Sequence, residues 1–194
     1  MEIQERLLSL RGYVDEESTG KIIDKILNYN FEDDKNKIPI ERRSPIHLHI
    51  QSPGGNTYDG YALVDIILTS KTPVYTYGEG SVESSALDIY MAGKRRYAYE
   101  HTMFMVHGNA TSLEGKTLPN MKSYLDMVTT LDDWGKDLLS SRSLLSRSQV
   151  DDVYNSNKDI FFTVDKAIKC GIVTHLIEWK VGIIFNYIFY YKIY

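Results

Sequence analysis

Residues 46–55 read IHLHIQSPGG, a stretch in which apolar residues alternate with histidines before a turn rich in serine, proline and glycine. Alternation with a period of two predicts a half-buried β-strand, and the turn residues predict that this strand ends abruptly. A strand that ends in a glycine-rich loop is a frequent location for binding and catalytic residues. The stretch therefore predicts a strand of a sheet, and it predicts that a functional site lies at the end of that strand.

Strand and helix patterns alternate on both sides of this turn. The predicted order is strand 5–14, helix 15–29, exposed loop 31–45, strand 46–50, helix 58–68, strand 74–77, helix 84–91, and short strands 96–99 and 103–106. Proline and glycine residues stand where one element should end and the next begin. This alternation predicts an α/β fold.

The longest helical pattern covers residues 118–146, where apolar residues recur at roughly helical spacing with charged residues between them. A helix of this length is expected to project from its domain or to cross a subunit boundary. A short polar helix over 149–156 follows, and then a strand, a helix that begins at Thr163 and a stop at Gly171.

The last residues differ in composition from the rest of the chain. Residues 183–194 read IIFNYIFYYKIY, which is far more apolar and aromatic than the preceding sequence. The segment is too short to span a bilayer as a helix, which needs about 20 residues. A β-addition strand and an oligomer contact are open readings, and we favour an aggregation-prone tail or an incidental extension. We predict one domain over residues 1–182, followed by this tail.

The composition argues against several classes of function. With a formal net charge of -4 over 194 residues, the chain has no cluster of Lys and Arg that would bind a run of phosphates. Cys170 is the sole cysteine, which excludes an internal disulfide and suits a reducing compartment. The N-terminal residues lack the uninterrupted apolar core of a secretory signal. We therefore expect a cytoplasmic protein that binds neither nucleic acid nor membrane.

Three residues meet the requirements of a serine nucleophile mechanism. Ser84 stands at a predicted strand-to-helix turn, His107 follows a predicted strand, and Asp159 precedes another. A serine hydroxyl needs a base such as histidine to accept its proton, and a carboxylate can orient that base. Each residue also has an ordinary structural reading, as a turn serine, a histidine satisfied at a strand end and a turn carboxylate. The structural reading is the one we assign to His47, His49, His101, His175 and Asp165.

The sequence around these residues resembles that of the ClpP family, the proteolytic subunit of ATP-dependent Clp proteases. The family motif N-S-P-G-G is similar to residues 51–55, QSPGG. The family motif G-x-A-A-S at the nucleophile is similar to residues 80–84, GSVES. No gap is needed between Gly55 and Ser84, which makes a chance agreement improbable.

Two later segments extend the resemblance. The family segment R-F-C-L-P-N-S-R-V-M-I-H resembles residues 96–107, RYAYEHTMFMVH, at equal length. The family segment D-R-F-L-S-A-x-E-A-x-x-Y-G-L-V resembles residues 159–173, DIFFTVDKAIKCGIV. The likeness covers about residues 5–177 and keeps the order serine, histidine, aspartate, which differs from the orders of chymotrypsin, subtilisin and the α/β-hydrolases.

The resemblance implies a ClpP/crotonase-like α/β fold with a helical handle around residues 118–146. It implies that Ser84 is the nucleophile, His107 the general base and Asp159 the acid of a triad. The backbone N–H groups of Gly55 and Ser85 are the implied oxyanion hole. The implied activity is that of a serine endopeptidase, without metal or organic cofactor, that cleaves unfolded proteins or peptides. In the family the handle interlocks two seven-membered rings into a chamber, so self-assembly is implied as well.

The sequence departs from the family pattern at several positions. Glu83 precedes the nucleophile where the family prefers a small residue, Glu100 replaces a proline, and Gly108 replaces a glutamine. Five residues precede Arg6, which resembles the start of the first family strand, so we do not expect the longer leader that meets the ATPase. A Clp-type ATPase partner is therefore not assumed.

Other functions of the same fold remain open at this point. A phage-type head-maturation protease would have a narrow substrate, and a non-catalytic structural subunit would keep the ring and lose the chemistry. Glu83 is the sequence feature that favours the second of these. Acyl-CoA binding, as in the crotonase relatives, ranks last because those proteins lack this triad.

Overall fold

Within the described residues, seven strands form the main sheet and two further strands pair with each other. The computed structural model describes residues 6–110, 112, 114–184 and 187–192, with side chains up to residue 178. The strands are β1 Leu7–Arg11, β2 Ile46–Ser52, β3 Val74–Glu83, β4 Arg95–Tyr99, β5 Met103–Val106, β6 Ile160–Thr163, β7 His175–Ile177, β8 Trp179–Ile184 and β9 Tyr187–Lys192. The helices are α1 Glu16–Lys35, α2 Thr57–Thr69, α3 Ser85–Ala92, α4 Leu118–Arg142, α5 Arg147–Asn155 and α6 Val164–Lys169, with a short 3₁₀ helix at Ile40–Arg42. This mixture of a central sheet and helices confirms the predicted α/β class.

The main row of strands runs β1-β2-β3-β4-β7, with every neighbouring pair parallel. β2 shows the predicted alternation, because Ile46, Leu48 and Ile50 are fully buried in the core formed with α1, α2 and α3. Burial of each such side chain stabilises the fold by about 1.5–3 kcal/mol. On the other face of β2, His49 stacks on Tyr77, with ring centroids 4.5 Å apart.

β3 changes its partner along its length. Its first half pairs with β4 through Gly78, and its last residues, Ser81 to Glu83, pair with β5. Gly80 lies between the two halves with φ +58°, a conformation that glycine adopts without steric cost. β5 pairs in turn with β6, in antiparallel orientation. β5 and β6 therefore branch from the main row beside the end of β3, which is where Ser84 follows.

Several predicted boundaries were wrong. The predicted strand 5–14 is too long, because β1 covers only Leu7–Arg11. The predicted loop 31–45 begins too early, because α1 continues to Lys35. Asp33 is buried there, and its carboxylate accepts hydrogen bonds from Arg6 at 2.6 and 2.7 Å, so a charge that suggests an exposed loop is instead paired inside. The predicted strand 74–77 ends too early, because glycine-rich residues up to Glu83 continue to pair with β5.

Two arginines hold the C-terminal end of α3. Arg142 donates from Nε to the Met91 carbonyl at 2.6 Å and from Nη2 to the Gly93 carbonyl at 2.8 Å. Arg96, which is buried, donates to the carbonyls of Ile172 and Arg142, each at 2.7 Å. Cations at this end of a helix are favoured by the helix dipole and satisfy its unpaired carbonyls. The end of α4 is thereby fixed against the end of α3.

We define the handle as α4. The N-terminal half of this helix is not buried against the rest of the protein. Leu118 is 80% exposed, and the first buried residue of the helix is Leu131. The helix ends at Arg142 rather than at 146, because Ser146 instead caps α5 by accepting a hydrogen bond from the Gln149 N–H. In the part of the chain that the structure describes, no helix is long and apolar enough to cross a membrane.

β8 and β9 form a separate antiparallel hairpin that contains most of the predicted tail. The predicted boundary at 182 falls inside β8, and residues 185, 186, 193 and 194 of the tail lie outside the described residues. We propose that the domain is complete without the hairpin, since an isolated two-stranded hairpin is marginally stable by itself.

This proposal predicts the effect of a truncation. Deleting the residues after Glu178 should leave the far-ultraviolet circular dichroism and the melting temperature of the domain nearly unchanged, because β7 and the whole main sheet are retained. A loss of cooperative melting in the truncated chain would show that the hairpin belongs to the domain.

Asp88 provides a second test of the core. It lies on α3 between the buried Leu87 and Ile89, and burial raises its pKa from 3.8 to about 7 although part of the side chain reaches the surface. Because the pKa in the folded state is raised, ionisation of Asp88 opposes folding. The resulting loss of stability is absent below about pH 4 and complete above about pH 7.

We expect Asp88→Asn to raise the free energy of unfolding at pH 8, by on the order of 2–4 kcal/mol, and to change it little at pH 4. Urea titrations at the two pH values measure this difference. Asp24→Asn, at an exposed position of α1, is the control and should change the free energy of unfolding by less than about 0.5 kcal/mol. Equal effects of Asp88→Asn at both pH values would contradict the assignment.

Candidate active site

Ser84 occupies the turn between β3 and α3 in a backbone conformation that residues other than glycine rarely adopt. Its φ is +54° and its ψ is -130°. A non-glycine residue in such a conformation costs about 1–3 kcal/mol and persists only where its surroundings fix it. Here the Ser84 N–H donates to the Met105 carbonyl at 2.9 Å, and the Ser84 carbonyl accepts from the Leu87 N–H at 2.8 Å. Sharp strand-to-helix turns present a serine hydroxyl to the substrate in the α/β-hydrolases.

The side chains of Ser84, His107 and Asp159 lie together although they are distant in sequence. His107 directly follows β5, which pairs with the end of β3, and its Nε2 is hydrogen-bonded to the Ser84 hydroxyl at 2.8 Å. The pairing of β5 with β6 places Val106 opposite Ile160, so Asp159 arrives beside His107. The distance from His107 Nδ1 to Asp159 Oδ1 is 3.1 Å.

This arrangement can support proton transfer. The His107 ring lies between a hydroxyl at one nitrogen and a carboxylate at the other, so it can accept a proton from Ser84 while Asp159 stabilises the imidazolium. The side chains of His107 and Asp159 are 37% and 56% exposed. The histidine and the carboxylate are therefore open to a substrate that approaches from solvent.

The turn after β2 lies so close to Ser84 that a side chain at Gly54 would not fit. A Cβ atom on Gly54 would lie 2.7 Å from the Glu83 carbonyl oxygen and 2.8 Å from the Ser84 Cβ, and the φ of Gly54 is +89°. Gly54 was not among the predicted site residues, which included only Gly55 from this turn. The pair of glycines in QSPGG was the available signal, because it shows that the turn tolerates no side chain at either position.

Gly55 is held against Val14, in the segment between β1 and α1. A Cβ at Gly55, whose φ is +155°, would lie 2.8 Å from the Val14 nitrogen and closer still to the Val14 carbonyl oxygen. Hydrogen bonds run from the Val14 N–H to the Gly54 carbonyl at 2.9 Å and from the Asn56 N–H to the Val14 carbonyl at 2.8 Å. The backbone at Gly55 is therefore fixed from both sides.

Ser85 and Gly55 present backbone N–H groups near the Ser84 turn. Ser85 is the first residue of α3, where an N–H has no acceptor within its own helix. A Cβ on Gly54 would lie 3.2 Å from the Ser85 nitrogen, which places the turn beside this donor. Among the described backbone groups, none accepts a hydrogen bond from the Gly55 N–H. The Ser85 hydroxyl is buried and unpaired, so it is not accessible to a substrate. Of these two polar groups of Ser85, the backbone N–H is therefore the candidate functional group.

The structure shows the surroundings of two residues that depart from the family pattern, Glu83 and Gly108. Glu83 pairs in register with Met105, and in the described contacts it forms neither a hydrogen bond nor an ion pair with His107. Gly108 lies against α5, because a Cβ there would be 3.1 Å from the Tyr154 carbonyl oxygen. The glycine thus allows the segment after His107 to pack closely.

A polar cavity of about 500 Å³ adjoins the histidine and the carboxylate. Its lining includes His107, Asn109, Asp132, Lys158 and Asp159. A larger cavity of about 590 Å³ lies between α2 and α4 and contains none of the three candidate residues. Across the described ranges, no group of three or more His, Cys, Asp or Glu side chains is arranged to hold a metal ion.

The geometry at Gly55 generates a prediction. Gly55→Ala should lower the rate at which a fluorophosphonate labels the protein by about 10²–10³-fold, the usual effect of losing one oxyanion donor, because the added Cβ displaces the turn from Val14. Gly115→Ala is a matched control, since Gly115 has φ +69° but a Cβ there meets no atom within 4 Å. Normal labelling of a folded Gly55→Ala protein would remove Gly55 from the site.

Comparisons with known proteins identify relatives that match most of the chain. The family model described as Clp protease matches residues 2–180. The ATP-dependent Clp protease proteolytic subunit 2 of Treponema pallidum is 30% identical over 145 residues, which cover 69% of this chain and 67% of that protein. The protein of the same description from Corynebacterium efficiens is 28% identical over 186 residues, covering 95% of this chain and 88% of that protein.

A solved structure shows the same fold. The structure of the ClpP1 N165D mutant from Listeria monocytogenes matches with a TM-score of 0.76 and 23% sequence identity, over 91% of this chain and 93% of that one. The match confirms the predicted ClpP-like fold, and the family match confirms the resemblance found in the sequence. The chain belongs to the Clp protease family, whose named members are proteolytic subunits.

Proposed function

We propose that this chain is a serine endopeptidase subunit in which Ser84, His107 and Asp159 act as a catalytic triad. The observation that carries the proposal is the continuous contact from the Ser84 hydroxyl through the His107 ring to the Asp159 carboxylate, at 2.8 and 3.1 Å. Membership of a family of proteolytic subunits supports the same reaction class.

The reaction would proceed through an acyl-enzyme. Ser84 Oγ attacks the carbonyl carbon of the scissile peptide bond while His107 Nε2 accepts the hydroxyl proton. The negative charge that develops on the carbonyl oxygen is stabilised by the N–H groups of Gly55 and Ser85. His107 then returns the proton to the departing amine, and a water molecule hydrolyses the acyl-enzyme with His107 again as the base. Asp159 holds the imidazole in the orientation that this exchange needs.

We propose unfolded polypeptides or peptides as substrates and self-assembly through the handle. The exposed first half of α4 supports assembly, because Leu118, Tyr124 and Leu125 are large, exposed apolar side chains on it. Exposed apolar residues along one helix are typical of a protein interface. Size-exclusion chromatography with light scattering measures the assembly directly.

The partners and location are part of this proposal. The curated relatives are named subunits of ATP-dependent proteases, and copurification with a Clp-type ATPase would extend that partnership to this chain. We propose a cytoplasmic location and a mechanism without metal or organic cofactor. Unchanged peptide hydrolysis in the presence of a chelator would agree with the second point.

Replacement of the nucleophile tests the proposal. Ser84→Ala should abolish fluorophosphonate labelling and lower peptide hydrolysis on the order of 10⁴-fold or more, while the far-ultraviolet circular dichroism and oligomer size stay the same. Ser85→Ala is the matched control. It keeps the backbone N–H and removes a buried, unpaired hydroxyl, so activity should persist and stability should not fall.

Other outcomes would favour the alternative functions. A folded wild-type protein that assembles but resists labelling would indicate a non-catalytic structural subunit. A labelled protein that cleaves one folded partner and no general peptide would indicate a maturation protease. Undiminished labelling of Ser84→Ala would contradict the proposed nucleophile.

A further inference from the structure

A chain of hydrogen bonds, which we call the bridge, links the handle to the start of α2 beside the candidate site. Asp132 of α4 accepts two hydrogen bonds at Oδ1, from the Asn109 N–H at 2.7 Å and from Asn109 Nδ2 at 2.9 Å. The Asn109 side-chain oxygen in turn accepts from the Thr57 hydroxyl at 2.8 Å. Asn109 therefore links one acid on α4 to the first residue of α2.

The two ends of this bridge lie next to the proposed chemistry. Asn109 is two residues after His107, and Thr57 is two residues after Gly55. The bridge thus joins the segment that carries the proposed base to the segment that carries a proposed oxyanion donor. The catalytic residues themselves take no part in it.

Close packing supports the position of Asp132. A Cβ on Gly108 would lie 3.1 Å from the Tyr154 carbonyl oxygen and 3.5 Å from Asp132 Oδ2. A Cβ on Gly135 would lie 3.0 Å from Tyr154 Cζ and closer still to its hydroxyl. The two glycines therefore let α4, α5 and the segment after His107 meet without an intervening side chain.

Hydrogen bonds of this type are strong enough to fix a loop. Loss of the Asp132 acceptor would leave the partly buried Asn109 N–H unpaired, which destabilises the segment that contains it. A displacement of about 1 Å at a reacting group can lower a rate about 10²-fold. The bridge is therefore placed where its loss would alter the rate of reaction.

We propose that Asp132 is a positioning residue that acts through Asn109 on His107 and, through Thr57, on Gly55. This inference rests on the proposed function, because it concerns the geometry of the same site. It assigns no proton transfer to Asp132, which touches neither Ser84 nor His107 in the described hydrogen bonds. Its contribution is to keep the base and the oxyanion donor at a fixed separation.

The first test is steady-state hydrolysis of a short chromogenic peptide by the full chain. Asp132→Ala should lower kcat on the order of 10-fold or more and leave KM within about 3-fold, because the substrate still binds while the reacting groups are misaligned. The rate of fluorophosphonate labelling should fall in parallel. Asp132→Asn keeps an oxygen acceptor at the same place, so it should restore kcat to within about 3-fold of the parent.

Asp133→Ala is the matched control, because it removes the neighbouring charge of the same helix. The Asp133 side chain is 51% exposed and lies 3.3 Å from Arg147 and 3.7 Å from Lys136, and ion pairs of an exposed carboxylate contribute little to stability. We expect it to leave kcat and KM unchanged. An equal loss of kcat in Asp133→Ala and Asp132→Ala would overturn the proposal, since any charge on α4 would then have the same effect.

An exchange of the two side chains keeps the test decisive if Asp132→Ala does not fold. Asn109→Asp places two carboxylates against each other and should lower kcat about as strongly as Asp132→Ala. Combining it with Asp132→Asn restores one amide and one carboxylate, and the double variant should recover at least about 5-fold over Asn109→Asp alone. A double variant no more active than Asn109→Asp would contradict the bridge.

The outcomes separate this inference from the proposed function. Loss of labelling in Ser84→Ala together with parental kcat in a folded Asp132→Ala would overturn the positioning role alone. Persistence of labelling in Ser84→Ala would overturn the proposed function, whatever the Asp132 variants show.

Discussion

A serine held at φ +54° between β3 and α3 needs support on several sides, and the neighbouring elements supply it. β5 accepts the Ser84 N–H at Met105, and the turn after β2 approaches so closely that only glycine fits at position 54. β3 reaches this point because Gly80 lets the strand bend from one partner to another. A long strand, a glycine turn and a branch in the sheet therefore meet at the strained residue and hold it in place.

The far end of α3 is secured by a different interaction. Arg142 and Arg96 place two guanidinium groups among the backbone carbonyls at the ends of α3, α4 and α6. Burial lowers the pKa of both arginines from the usual value, and the carbonyls stand in for a carboxylate partner. Since guanidinium stays protonated in proteins, these contacts hold over the whole physiological pH range. α3 is thus fixed at its start by backbone geometry and at its end by charge.

The sequence was informative where local chemistry decides the structure. The alternation in IHLHI predicted the buried face of β2, and the family motifs predicted that Ser84, His107 and Asp159 belong to one site, which agrees with their contact. Asp33 escaped prediction because its partners Arg6 and Thr72 come from distant segments. The second half of β3 escaped it because glycine-rich sequence usually indicates a loop, and only β5 makes it a strand. Asn109 and Asp132 carry no local signal at all, because their bond depends on where α4 returns to the body.

The antiparallel pairing of β5 with β6 has a consequence for the order in which the protein is made. Ser84 emerges from the ribosome first, His107 later, and Asp159 only after the whole of α4 and α5. β6 closes the sheet beside β5, and the same step delivers the carboxylate to the histidine. A nascent or prematurely terminated chain that lacks β6 would contain Ser84 and His107 without the carboxylate of Asp159. The contact between His107 and Asp159 therefore forms only late in synthesis, when β6 pairs with β5.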